Sequence, residues 1–430
     1  MSNRTSQITL RIAVIVLVFC YPGKAGFSQS LTVHSWLHAS IDSVLPGSSW
    51  GTGGFTLADY DRDGDLDITI SRREIDGGRV YWYEYHAGNW IRHDLGLSDE
   101  EQLGAAVSDI NGDGYPDLVV ARYWFENPKV LEQFPDSLWI KHTYSGGLPY
   151  ENHDILASDF NRDGKDEILC YSQKTAGGTL RLFETGDAGK WSYHDVSDRV
   201  NDIVSQIPGN NGIHGGFAPH GAGDLDGDRF PDIVMPSGWF KNPGKDQVKI
   251  WQYRPWPFSM GITPNLYGIS TRSWVTDLDA DGDNDIVYTD CDVEGSAGYR
   301  IMNEKKGKKF VRYALPSPGD PTGSLHSLAL ADFDGDGDLD IFSGEQEDPD
   351  QGMKPRMLKE RGFFWENTGS RKKPSFEVRI IQVDNPGWHD VLVGDVDGDG
   401  DMDIVSKVWN KDGSHYHADY WENRTVIKKL

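Results

Sequence analysis

A chain of 430 residues that is 25% charged, 37% hydrophobic and 12% aromatic has the apolar content of a folded protein and not the bias of a disordered one. Its formal net charge of −25 argues against nucleic acid or an anionic membrane surface as a partner, since both would repel it. Three cysteines, one of them in the leading segment, give no disulfide framework, so burial and bound metal are left to hold the fold.

Residues 1–28 begin with Arg4 and Arg11, continue through an apolar run from 12 to 20 and end in small residues. That order predicts a secretory signal peptide cleaved before Gln29, too short to span a bilayer. Phe19 stands where a lipoprotein signal would place a small residue ahead of Cys20, which disfavours a lipid anchor. The expected location is secreted, periplasmic or at the cell surface, and residues 29–430 are expected to form one domain.

Residues 31–42, with Trp36-Leu37-His38, read as a strand placed ahead of the first of seven acidic loops. The loops start at Asp59 (D-Y-D-R-D-G-D-L-D), Asp109, Asp159, Asp224, Asp277, Asp332 (D-F-D-G-D-G-D-L-D) and Asp395, at spacings of 50, 50, 65, 53, 55 and 63 residues. Alternate residues of such a turn point inward, so positions one, three, five and nine wrap a hard cation while Gly supplies the bend. The predicted ligands are Asp59, Asp61, Asp63 and Asp67; Asp109, Asn111, Asp113 and Asp117; Asp159, Asn161, Asp163 and Glu167; Asp224, Asp226, Asp228 and Asp232. The last three sets are Asp277, Asp279, Asp281 and Asp285; Asp332, Asp334, Asp336 and Asp340; Asp395, Asp397, Asp399 and Asp403. All donors are oxygen, so calcium is the expected ion; Lys165 stands at position seven, where only the carbonyl is needed. Seven divalent ions would add +14 and leave a net charge of −11.

Short apolar runs without helical period flank each loop, which excludes an EF-hand and predicts loops between strands. After each loop come an apolar strand, an aromatic strand ending in a group such as Trp124-Phe125-Glu126-Asn127 or Trp421-Glu422-Asn423, and a fourth strand such as Trp139-Ile140-Lys141-His142. Seven repeats of four strands predict an all-β, seven-bladed propeller. The last repeat lacks its fourth strand, which either residues 31–42 or the segment 425–428 supplies. Closing the ring removes its exposed edges.

The seven loops and their flanking strands resemble the FG-GAP or VCBS-like repeat proteins, calcium-loop propellers that include the integrin alpha head. The resemblance covers residue 31 to the C-terminus. It implies that the loops lie on the face opposite the long variable loops and that their ions brace the blades. Its members include adhesion heads, lectin-like modules, polysaccharide lyases and sugar dehydratases, so it does not by itself assign an activity.

If the loops mark one face, the residues six places before each first Asp mark the other: Gly53, Leu103, His153, Ala218, Thr271, His326 and His389. His153 and His389 precede Asp154 and Asp390. Imidazoles converging on a channel mouth supply a general base or hold a transition metal such as Zn2+; repeat histidines bonding a neighbouring blade are the other reading, and the sequence leaves both open. His93, His142 and His194 sit at a fixed offset from Trp in an outer strand and read as blade packing.

The segments that depart from the repeat, 200–219 with His214 and then His220, 254–272, 345–362 and 407–417, are the candidate recognition loops. Their Trp256, Tyr267, Trp409 and Tyr416 suit stacking on sugar rings, or simply pack the loops. Arg72, Arg73, Arg122, Arg272 and Lys407 are expected at the same mouth, where a cationic group would suit a carboxylated glycan.

Two functions fit. One is a carbohydrate enzyme of the elimination type, a polysaccharide lyase or sugar dehydratase, with His153, His326 or His389 as base, Arg122, Arg272 or a histidine-bound metal neutralising the enolate, and Tyr123 or His220 as acid. The other is a non-catalytic glycan-binding or adhesion module, here expected as a monomer. Glycoside hydrolysis would need a carboxylate pair among Asp154, Asp290, Asp292, Glu345 and Asp390.

Overall fold

The computed structural model describes residues 30–46, 51–73, 78–98, 103–144, 152–173, 178–186, 190–204, 212–262, 268–347, 358–385, 387–409 and 417–429. The expected signal segment, Tyr267 and Tyr416 lie outside them.

Seven blades of four antiparallel strands stand around an axis, six as separate four-stranded sheets and the fifth extended to six strands by two short strands from the fourth repeat. In the first, Gly51–Ala58 is innermost, followed outward by Asp67–Arg73, Arg79–His86 and Asn89–Leu97. Each acidic loop joins an innermost strand to the second strand of its blade, as residues 59–66 do here. Second strands such as Ile68–Ile70 are buried on both faces, whereas Asn89–Leu97 alternates toward solvent, as an outer edge should. Innermost strands touch in ring order except that Asn152–Ser158 of the third blade meets Ile213–Gly215 and Pro219–His220, and Asp390–Gly394 of the seventh blade touches Gly51–Ala58 of the first.

The core is divided among the blade interfaces. Seven clusters of buried side chains occur among the described residues, one between each pair of neighbours. Between the first two blades Tyr60, Val80 and Trp82 meet Leu118, Val120 and Phe125. Side-chain amides reinforce these contacts: Asn127, Asn242, Asn303 and Asn423 each donate Nδ2–H to the carbonyl of the second loop residue in the preceding blade, Tyr60, Phe160, Leu225 and Phe333, at 2.8–3.0 Å. In these four blades the asparagine that ends the aromatic strand is thus a connector to the preceding blade, whereas Asn367 of the sixth blade keeps its Nδ2 without such a bond.

The ring closes through the N-terminus. Trp36–Asp42 pairs antiparallel with Ala418–Asn423 as the outer strand of the seventh blade. Val426–Lys429 instead pairs with Ser30–Val33 in a separate two-stranded sheet, so the segment 425–428 is not the closing strand. His38 stacks on Trp421 at 4.2 Å, as His142 stacks on Trp124 at 4.2 Å and His93 lies over Trp82 at 4.5 Å. The closing strand therefore reproduces the Trp–His packing of the other outer strands.

The closure has a polar clasp. His38 Nε2 and His417 Nδ1 meet the two oxygens of the buried Asp419 at 2.9 and 2.7 Å. Burial alone would raise this carboxyl, but the bonds from His38 and His417 hold it below its ordinary 3.8. Its folded value is depressed, so its stabilisation is fully present above about pH 3.8 and is lost as pH falls through the depressed value. Asp419→Asn is expected to cost about 1.5–3 kcal/mol, the usual worth of hydrogen bonds to a charged group. Urea melts would measure that loss, and faster amide exchange in Trp36–Asp42 would locate it.

The fourth blade departs from the repeat. Its innermost strand is reduced to Ala222–Gly223, while Ile213–Gly215 and Pro219–His220 run parallel to Ile269–Thr276 of the fifth blade. Asp154 holds this segment: its Oδ2 accepts the N–H groups of Gly216, Phe217 and Ala218 at 2.8, 3.0 and 3.1 Å. The expectation that Ala218 begins a regular innermost strand is therefore corrected.

Candidate functional site

A cavity of about 700 Å³ occupies the axial channel, lined by successive innermost strands. His153, His220, Arg272, His326 and His389 all line it, as do Arg73, His214, Asp292, Gln346 and Trp409. None of the predicted loop ligands does.

The backbone explains how the histidines face inward. His153 and His326 sit where strand register breaks, between Asn152 and Asp154 and between Leu325 and Ser327. Such bulges re-aim a side chain at the rim of a sheet. His389 immediately precedes Asp390–Gly394. Gly215 lets the parallel segment lie against His153, since a Cβ there would come within 2.8 Å of the ring. Asp292 reaches the cavity from a left-handed residue, φ 60°, just beyond Asp285–Asp290.

Two linked groups result. His153 Nδ1 bonds Asp154 Oδ1 at 2.7 Å, and its Nε2 lies 3.1 Å from Nε2 of His214, whose Nδ1 bonds Gln173 Oε1 at 2.5 Å. His326 and His389 stack at 3.7 Å; His326 Nδ1 donates to the His389 carbonyl at 2.7 Å, and His389 Nδ1 bonds Asp390 Oδ2 at 3.1 Å. Asp292 bridges the groups, 3.9 Å from His214 Nε2 and 3.8 Å from His326 Nε2. Asp390 also meets Arg272 at 3.0 Å and the buried Lys407 at 2.7 Å.

Burial favours neutral imidazole at His214, His326 and His389. It holds His326 below its ordinary value and, helped by the neighbouring His326, holds His389 well below. His214 is pushed down to about 3 by burial and His153. Burial alone would raise Asp390, but Lys407, His389 and Arg272 hold its carboxyl well below the ordinary range. Asp292 is likewise lowered by His326 and His214 against the effect of burial. The site therefore pairs neutral bases with carboxylate anions.

Other predicted residues lie elsewhere. Arg122 and Tyr123 are not among the lining residues: Tyr123 is buried in the interface between the first two blades, with the Arg122 guanidinium 5.6 Å from its ring. The second strand of that blade, Asp117–Val120, is four residues long, and Ala121 at φ 54° turns the chain before Arg122. In the first blade Asp67–Arg73 runs seven residues and carries Arg73 to the cavity. Arg72 and Lys407 are buried, and Trp256 packs into a blade interface instead of facing a ligand. Glu345 is fully buried and bound to Arg361, which removes it from the possible carboxylate pair.

The acidic loops fit a hard divalent cation. Asp59, Asp61 and Asp67 bring ligand oxygens within 4.8 Å of one another, as do Asp224, Asp226 and Asp232. Asp59, Asp279 and Asp395 each keep one buried oxygen without a hydrogen-bond partner. At position seven, where only the carbonyl was expected, Asp65, Asp338 and Asp401 also bury such an oxygen. Burial and then the Asp63 charge push Asp65 up to about 8, and burial raises Asp67 to about 9, penalties on the anionic form that a cation would relieve. The position-nine carboxylates also order the loops: Asp67 accepts the N–H groups of Tyr60 and Tyr85 at 3.1 and 2.9 Å. The fourth loop differs, because Lys241 places its ammonium against Asp226 and 2.6 Å from Asp228. In the second loop Lys129 lies 2.6 Å from Asp113.

Fold and loops together define a seven-bladed propeller built from acidic-loop repeats. The FG-GAP-like repeat family matches residues 59–120 and 277–343, which places those regions of the chain among FG-GAP-like repeats. The chain is 26% identical over 238 residues to integrin alpha-PS2 of Drosophila melanogaster, a match covering 50% of this chain and 16% of that protein. Among solved structures, the rhamnogalacturonan lyase YesW is similar at a TM-score of 0.47 with 14% identity, over 93% of this chain and 81% of its own. The exotype rhamnogalacturonan lyase YesX gives 0.47 with 13% identity, over 90% and 72%. Both are likenesses of chain path alone. No helix among the described residues is long and apolar enough to cross a membrane.

Proposed function

We propose that the axial cavity takes a sugar bearing a carboxylate or a carbonyl and cleaves it by β-elimination, as a polysaccharide lyase or sugar dehydratase does. The observation that carries this reading is the His389–Asp390 pair: a buried neutral imidazole, oriented through Nδ1 at 3.1 Å, on the wall of a cavity it shares with Arg73, Arg272 and Trp409. Bonding Asp390 through Nδ1 leaves Nε2 on the far side of the ring from that carboxylate.

In this scheme Nε2 of His389 removes the proton next to the sugar carbonyl or carboxylate, and Asp390 stabilises the imidazolium formed. Arg73 or Arg272 faces the enolate oxygen. The electron pair of the broken C–H bond becomes the C=C bond, the C–O bond at the next carbon breaks, and the imidazolium returns its proton to the departing oxygen. Tyr123 has no part in it, because it lies outside the cavity. His220, stacked at 4.9 Å on Trp274 and lowered by burial, is neutral near pH 7 and serves better as a hydrogen-bonding wall than as the acid. Glycoside hydrolysis fits less well, since its acid must hold a proton near neutrality, whereas Asp292 and Asp390 are both held below the ordinary carboxylate range.

The test is ultraviolet absorbance of the calcium-loaded protein with a panel of uronate polysaccharides and oxidised sugars. Growth of an unsaturated product is expected. Saturable binding of a glycan with no such product would instead leave a binding or adhesion module, and neither binding nor product on any acidic glycan would remove carbohydrate altogether.

The arginines allow a finer prediction. Arg73→Gln is expected to lower kcat/KM by about 10- to 1000-fold, the range for removing one charged stabiliser of a developing anion. A neutral sugar lacking the carboxylate should bind wild type and variant alike.

A further inference from the structure

The cavity wall holds a second constellation that the elimination scheme does not use. Three imidazoles and one carboxylate, from the third, fifth and sixth blades and the inserted segment, follow one another along the wall with acceptor atoms facing their neighbours. His153 Nε2 and His214 Nε2 are 3.1 Å apart, His214 Nε2 and Asp292 Oδ2 are 3.9 Å apart, and Asp292 Oδ1 and His326 Nε2 are 3.8 Å apart.

The outer bonds fix the proton on each ring. Asp154 and the His389 carbonyl only accept, so the nitrogens that bond them, Nδ1 of His153 and of His326, carry the hydrogen. His214 Nδ1 faces Gln173 Oε1 in the same manner. In that tautomer each ring turns the lone pair of Nε2 inward. Nδ1 bonded to a carboxylate, carbonyl or amide oxygen, with Nε2 left for an ion, is how metal-binding histidines are held. Two ligands at about 2.0–2.1 Å on one tetrahedral ion stand roughly 3.3 Å apart, close to the His153–His214 separation. A single proton shared by those two nitrogens would leave Asp292, 3.9 Å from His214 through one oxygen and 3.8 Å from His326 through the other, still facing imidazole lone pairs; a cation beside Asp292 relieves these contacts.

We propose that His153, His214, Asp292 and His326 form a binding site for a divalent transition metal of the zinc type. Three imidazoles with one carboxylate favour zinc, cobalt, iron or manganese over calcium, which selects oxygen. The site is chemically distinct from the seven acidic loops, and the inserted segment of the fourth blade gains a role in carrying His214. Cys291, whose sulfur lies within 4.8 Å of the ligand atoms of Asp292 and His326, borders it. Asp154 is a positioning residue, bonding His153 and anchoring the segment that bears His214. The proposal stands independently of the sugar chemistry.

The test strips the full-length protein with a chelator, restores excess calcium, and then titrates cobalt and zinc in its presence. One transition ion per chain is expected, and the cobalt form should show the visible absorption of an ion with nitrogen ligands in a site of low coordination number. The double variant His153→Ala, His214→Ala should weaken binding at least 100-fold while its melting temperature in calcium stays within a few degrees of wild type. Should that variant fail to fold, His326→Gln is read the same way, and the wild-type cobalt spectrum stands alone as evidence. Wild type that retains no transition ion in excess calcium overturns the proposal. So does undiminished binding in the variants, or a cobalt spectrum of oxygen ligands only.

Discussion

His389→Ala is expected to lower turnover on a carboxylated sugar by about 10²- to 10⁴-fold, the usual range for losing a positioned general base, while its dissociation constant changes by less than about tenfold. The split follows from geometry. His389 is the base in the scheme above, but affinity is shared with Trp409, Arg73 and Arg272 on the same wall. The substitution also spares its neighbours: His326 bonds the backbone carbonyl of residue 389, which alanine retains. A loss confined to KM would make His389 a binding residue, and steady-state kinetics paired with calorimetric binding would separate the two. His153→Ala provides the contrast, because its Nε2 faces His214 and not Asp390. His153→Ala should lose the transition ion, and adding zinc should not rescue His389→Ala.

How much of this was written in the sequence depends on whether the repeat carries it. Wrapping a cation demands acidic side chains at fixed spacing, so the seven loops were visible at once, and the Trp–His pairs marked the outer strands. The missing fourth strand of the last repeat left two candidates, and the Asp419 clasp to His38 and His417 belongs to the pairing that occurs. Position alone brought His153, His326 and His389 to the channel face.

Features outside the repeat were hidden. His214 was noticed only as part of an irregular segment, because its place depends on three backbone amides meeting Asp154, a contact with no sequence signature. In the sequence Asp292 is one carboxylate among several, although a left-handed backbone at a non-glycine residue sends it inward. Arg122 and Arg73 looked equivalent, yet a second strand of four residues and one of seven end at different heights in their blades. Repeat logic fixes where a strand starts, and local backbone decides where it stops.

Chelation of the loop cations is expected to have the largest effect on stability. A ligand held at about 100 times its dissociation constant contributes about 2.7 kcal/mol. The three loops that turn in Asp65, Asp338 and Asp401 would then supply about 8 kcal/mol, comparable with the roughly 5–15 kcal/mol that stabilises a whole domain. The chelated protein should therefore melt tens of degrees lower or unfold at room temperature, and calcium alone should restore it. An unchanged melting curve in chelator would remove the bracing role. The loops should not contribute equally. The first, sixth and seventh turn a position-seven aspartate inward through Asp65, Asp338 and Asp401, which adds charge to the ligand set. The fourth carries its own cation, since Lys241 meets Asp226 and Asp228. Wild type should accordingly bind fewer than seven calcium ions at micromolar concentration. Lys241→Met, which removes the ammonium and keeps the apolar stem, should bind one more and become more sensitive to chelator. An unchanged count by metal analysis would mean that the lysine yields to calcium in solution, and the fourth loop would then join the others as a full site.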